Sequence, residues 1–257
     1  MDAAQTIRDA VAQVGAIRLN TLSNSDLGAA TTAVKSFQAE RFAGTYCDLL
    51  SSAEYGAAAR FFLEDLYSDK DYSDRDAQFS RIAGALQRVF PQQVVATAVS
   101  LAQLHLLTEE LDGQMASAWV DSAPTTGDHA ARYIDCWRAV GRGQDRSRQL
   151  EMVLRVGNDL DRLTRTSGLR LMLRMMRGPA RAAGLGSLQS FLEAGFDTFS
   201  GMSGKANRAQ EFLQTIRDRE SAWIQRLSNG DAMLCQAELR TCLASIPSVA
   251  PGEPILN

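Results

Sequence analysis

Two histidines, three lysines and four cysteines are few for a chain of 257 residues, and each scarcity removes a class of chemistry. His105 and His129 belong to no H-E-x-x-H, E-x-x-H or G-x-S-x-G arrangement, so the familiar zinc-hydrolase, di-iron and serine-hydrolase signatures are missing. Lys35, Lys70 and Lys205 lie outside any G-x-x-x-x-G-K-[ST] phosphate loop. Cys47, Cys136, Cys235 and Cys242 form no C-x-x-C pair, whereas a zinc site needs closely spaced ligands. The N-terminus, MDAAQTIRDAVAQVG, has no basic stretch followed by an apolar core, so a cytoplasmic, reducing setting is expected, with the thiols free or buried as small hydrophobes. No apolar run approaches the roughly 18 residues of a membrane-spanning helix. Charge of one sign is not in excess either. With 27 Lys+Arg against 30 Asp+Glu the net charge is −3, which argues against a generally basic nucleic-acid binder. The sequence therefore predicts no cofactor and no metal site, and it shows no constellation of acid, base and nucleophile that would mark an enzyme.

What is present is helical periodicity from end to end. Ile7, Val11, Val14 and Ile17 share one face of a helix over 2–18. Asn24-Ser25-Asp26 is a capping signal for a second helix reaching about residue 50. Ser51-Ser52 starts a third over 53–67, and Ser73 caps a fourth over 74–89 with Asp74 and Asp76 in its first turn. Pro91 suits the opening of a fifth, 92–119, whose apolar residues surround much of its circumference; that helix should be central. Further helices are expected over 128–140, 146–166 (capped by Asp145), 168–177, 186–200, 205–228 and 231–244. No alternating Val/Ile/Thr runs with N-G or D-G turns compete with this pattern, and no fixed repeat suggests a solenoid. The expected architecture is all-α, a compact bundle of about nine or ten helices in one domain over 1–246, followed by an irregular tail, 247–257, that holds three of the six prolines.

The string Phe61-Phe62-Leu63-Glu64-Asp65-Leu66-Tyr67, with Asp76-Ala77-Gln78-Phe79 and Val89-Phe90-Pro91 after it, resembles a bacterial family of uncharacterised proteins named for an FFLEELY motif. Here it reads FFLEDLY, with Asp65 where the name has Glu. A later string, Arg177 to Gly186 leading into Phe191-Leu192-Glu193, extends the resemblance over most of the chain. The resemblance implies no activity. Physically, Ala59, Phe62, Leu63 and Leu66 fall on one helix face, and Arg60 and Glu64 are spaced for an i,i+4 ion pair on another. Helix packing accounts for the motif; the functional alternative is a partner groove with Phe61 and Tyr67 as exposed anchors.

Three further candidates carry chemistry. His105 sits in the most apolar helix with Glu109 one turn on, a pair that could line an internal ligand pocket or form a core hydrogen bond; a haem ligand is not expected. The acidic stretch Glu64, Asp65, Asp69, Asp71, Asp74 and Asp76 fails the calcium-loop pattern, because positions six and twelve from Asp69 are Asp74 and Ser80. Arg162, Arg165, Arg170, Arg174, Arg177 and Arg181 form a run of six arginines without an acid, and forked guanidinium groups suit carboxylate or phosphate. Gly184 and Gly186 could let the next helix offer its free N–H groups to an anion. The first functional reading is a non-catalytic interaction or regulatory module whose arginine face contacts an acidic protein or a small anionic ligand. The alternative is a ligand- or cofactor-binding helical protein with His105 lining its pocket.

Overall fold

The computed structural model describes residues 2–66, 72–122, 128–203 and 207–246. The expected tail, 247–257, lies outside them. Among the described residues there is no strand, and the helices are α1 (Ala3–Leu22), α2 (Ser25–Thr45), α3 (Cys47–Leu50), α4 (Gly56–Phe61), a π-helical turn (Phe62–Leu66), α5 (Ser73–Val89), α6 (Gln92–Asp121), α7 (His129–Val140), α8 (Gly143–Thr164), α9 (Leu169–Met175), α10 (Arg177–Ala182), α11 (Gly186–Ser203), α12 (Arg208–Asn229) and α13 (Ala232–Ala244). Apart from α3, which is a single turn of four residues, these are twelve α-helices rather than nine or ten.

The added helices arise where the periodicity runs on but the backbone bends. The expected second helix stops at Tyr46, whose φ of −116° and ψ of 22° leave the helical region, and restarts as α3. The motif helix turns π-helical after Phe61, which shifts the register of everything beyond it. Arg60 then donates to the Leu50 carbonyl at 3.1 Å, and no Arg60–Glu64 ion pair is present among the described residues. The segment after α8 divides at Met176. Pro179 lies in the first turn of α10, where its missing N–H is not needed. Gly184, at φ +67°, closes α10 with the Leu185 N–H on the Ala180 carbonyl (2.8 Å) and its own N–H on that of Arg181 (3.0 Å), a left-handed stop that glycine adopts without steric cost. The Asn24 cap is as expected, its side chain accepting from the N–H groups of Asp26 and Leu27. α8 begins earlier than expected, at Gly143, so Asp145 is not a cap; it sits in the first turn and pairs with Arg142.

α6, 30 residues long, runs through the centre and packs on α1, α2, α7 and α8. α8 in turn contacts α11 and α12, and α13 closes over α2 and α7. One buried cluster joins α2, the C-terminal half of α6, α7, α12 and α13 around Phe37, Trp119, Tyr133, Trp137 and Trp223. A second gathers Phe61, Phe62, Phe199 and Phe212. Smaller clusters lie where α1 and α5 meet the start of α6, and where α9 meets α11. All four cysteines are free. Burial pushes the thiols of Cys136, Cys235 and Cys242 up, away from the reactive thiolate. Among the described residues, no helix is long and apolar enough to cross a membrane.

Candidate functional site

The smaller clusters do not close on each other. Between α5, the first two-thirds of α6, α8, α9, α10 and α11, with side chains of α1 and α2 at its edge, lies a cavity of about 310 Å³. Its walls are mostly aliphatic and aromatic, with Phe79, Leu86, Leu101, Leu173, Leu188 and Phe196 among them. At one end the lining changes to Lys35, Asp76, His105, Thr108, Glu109, Asp112, Arg146 and Gln149. Helical spacing explains part of this end: His105, Thr108, Glu109 and Asp112 recur every three or four residues, so α6 presents them on one stripe.

The charges at that end are paired across helices. Arg18 of α1 places Nη1 2.7 Å from Asp76 Oδ2, and Nη2 3.2 Å from His105 Nε2 and 3.3 Å from Glu109 Oε1. His105 Nε2 is also 2.9 Å from Asp76 Oδ2. It donates to the carboxylate when protonated and accepts from Arg18 when bare. Lys35 of α2 donates to both Glu109 oxygens at 3.0 Å. Burial alone would raise the Asp76 carboxyl, but the hydrogen bond and charge of His105, with Arg18 and Arg75, hold it below its usual range. Glu109 is likewise raised by burial and lowered further by Lys35, Arg18 and His105, with a net downward shift. Deeper in, Gln38 Nε2 donates to Asp112 Oδ1 (3.1 Å), and Arg146 Nη1 reaches Gln149 Oε1 (3.2 Å) and Asp112 Oδ1 (3.5 Å). Gln149 donates onward to Thr108 Oγ1 at 2.7 Å. Among the described residues no three His, Cys, Asp or Glu side chains gather to hold a metal ion.

The structure thus brings His105 and Glu109 into one cavity, joined through Arg18 rather than by a direct bond. The arginine run is exposed and mostly paired. Arg162 is 3.7 Å from Asp159, Arg165 2.9 Å from Asp161, Arg170 2.8 Å from Asp197 and Arg177 2.6 Å from Glu193. Arg174 and Arg181 are exposed and have no ion pair among the described residues. The break at Met176 puts Arg170 and Arg174 on α9, and Arg177 and Arg181 on α10, so the arginine run is split between helices. The expected anion site at the start of α11 is occupied from within: the Leu188 N–H donates to Gln78 Oε1 (3.0 Å), and Ser187 and Gln78 both donate to Asp74.

Phe61 is not an exposed anchor. It is 6% exposed, stacked on Phe191 at 5.7 Å and edge-on to Phe62 at 6.4 Å, because the face that carries it turns onto α11. Tyr67, like Asp69 and Asp71, lies outside the described residues. Seven residues of the charged end were not singled out from sequence: Arg18, Lys35, Gln38, Thr108, Asp112, Arg146 and Gln149. One signal was available. Glu109 and Asp112 stand in a helix apolar nearly all round, where a carboxylate is buried and needs partners.

A family model described as Domain of unknown function (DUF8198) matches residues 18–233, and the chain belongs to that family. No curated protein and no solved structure matches the chain.

Proposed function

We propose that this chain is a non-catalytic helical ligand-binding protein whose cavity takes one small amphiphile, its apolar body among the walls of α5, α9 and α11 and its polar end among the charged side chains that run from His105 and Glu109 to Arg146. One observation carries this reading: a mostly apolar cavity of about 310 Å³ changes at one end to a cluster of hydrogen-bonded charges, with Asp76, Glu109 and Arg146 buried and Arg18, Lys35 and His105 half-buried. Ligand sites run from about 300 to 1,000 Å³, mostly apolar, with a few placed polar groups that orient the guest. An apolar cavity of this kind is a poor home for water and a good one for an apolar molecule. Native mass spectrometry of the purified full chain, before and after organic extraction, tests it. A small molecule that co-purifies, or one medium-chain amphiphile taken up per stripped chain, is expected. A folded chain that takes up none would overturn it.

The second reading is the interaction module, with an acidic protein surface on the arginine face. It is favoured by Arg174 and Arg181, which are exposed without a carboxylate partner among the described residues, and by Leu171 and Met175 beside them at 62% and 69% exposure. It ranks lower because four of the six arginines already hold carboxylates of this chain. We also read the chain as one domain over 1–246, of bacterial origin within the FFLEELY-type proteins, and cytoplasmic. The free thiols and the FFLEDLY string support those readings.

A further inference from the structure

Gln38, Arg146 and Gln149 line two spaces at once: the polar end of the main cavity and a second, smaller one of about 40 Å³. Arg41, Tyr133 and Glu220 form the rest of the polar lining of the second. Two buried side-chain atoms among the described residues have no hydrogen-bond partner, Arg41 Nε and Arg146 Nη2, and both residues border this smaller space. Arg146 is 8% exposed and Arg41 7%, so water outside the protein does not serve them. A buried guanidinium N–H without an acceptor loses its hydration for nothing, and such a group calls for an explanation.

The surrounding charges are matched almost one to one. Arg18 pairs with Asp76, Lys35 with Glu109, and Arg41 with Glu220 through two bonds of 2.9 Å. Burial opposes the charge on Arg41, but the charge and hydrogen bond of Glu220 outweigh it, so the charge of that pair is matched while Arg41 Nε is left over as a donor. Arg146 is the exception. Its carboxylate, Asp112, is 3.5 Å away and is shared with Gln38.

We propose that the polar end of the ligand is a singly charged carboxylate, seated on the free Nη2 edge of Arg146 with Arg41 Nε as second donor, while its apolar chain fills the main cavity. This rests on the amphiphile reading of that cavity. A planar carboxylate matches the guanidinium fork. A dianionic head would meet Asp112 and Glu220 at close range. The small space also suits a carboxylate: one water needs about 10–15 Å³ by the same measure, so three or so heavy atoms fit.

The test compares octanoate with octanol on the full chain by isothermal titration calorimetry, in wild type and in Arg146→Gln. In wild type octanoate binds at least as tightly as octanol, although its head is the costlier one to bury. Arg146→Gln lowers octanoate affinity about tenfold, equal to about 1.4 kcal/mol, and leaves octanol unchanged. Should that variant fail to fold, Arg146→Lys keeps the charge, lacks Nη2 and is expected to show the same loss. Wild type that binds octanol and rejects octanoate, or a variant that leaves the ratio of the two unchanged, overturns the carboxylate while the amphiphile reading stands. If neither compound binds, both readings fall together.

Discussion

The two halves of α6 meet different surroundings. Its C-terminal half puts Met115, Ala116 and Trp119 against Phe37, Tyr133 and Trp223, all in one contiguous buried cluster. Its N-terminal half puts Val94, Leu101 and His105 beside open space. On the dense side, backbones approach so closely that a side chain at Gly44 would collide with the Cys242 carbonyl, and the Phe37 and Tyr133 rings stack at 4.5 Å. On the open side, α9 and α10 are short helices of seven and six residues. One continuous helix thus serves stability at one end and encloses a cavity at the other. The sequence of α6 does not separate the two, because the difference lies in what the neighbours supply.

That contrast makes mutational cost depend on place. Phe37→Ala, on the dense side, is expected to cost about 3–5 kcal/mol in chemical denaturation, since the deleted ring leaves a cavity among fixed neighbours. Leu173→Ala, in the cavity wall, is expected near the low end of the range for leucine, about 2 kcal/mol, because the site already borders open space. Equal costs would erase the distinction between the two sides.

The charged end makes a prediction about pH. Asp76 and Glu109 have folded-state values held below those of the unfolded chain. Their contribution to stability is therefore present above the unfolded carboxylate range, near pH 4, and is lost as pH falls through the lower folded values. The midpoint of urea unfolding should fall steeply on acidification below about pH 4, and Asp76→Asn should flatten that dependence. The smallest effect belongs to the arginine run. Changing Arg170, Arg174 and Arg177 together to glutamine should leave the melting temperature almost unmoved, because exposed ion pairs contribute little. Unfolding of this triple variant would instead make the arginines struts of the fold.

Helix content, the central place of α6 and the Asn24 cap were legible because they depend on periodicity and on local hydrogen bonds. The division at Tyr46, the π-helical turn and the break at Met176 were not, since tertiary packing decides where a continuous apolar pattern bends. His105 and Glu109 were legible as polar residues on an apolar helix. Their partners were not: Arg18 and Asp76 come from α1 and α5, 58 residues apart, and only the fold brings them together. Phe61 shows the opposite error, a residue read as a possible surface anchor that packing buries.

The most direct test of the central claim is a titration of wild type and Leu173→Trp with a neutral apolar fluorophore. Tryptophan at this wall position reaches into the cavity from α9 and takes up part of it, at a stability cost of about 1–3 kcal/mol. The account predicts saturable uptake of one fluorophore per wild-type chain and clearly weaker uptake by the folded variant. Equal uptake by both proteins, or none by wild type, would contradict it.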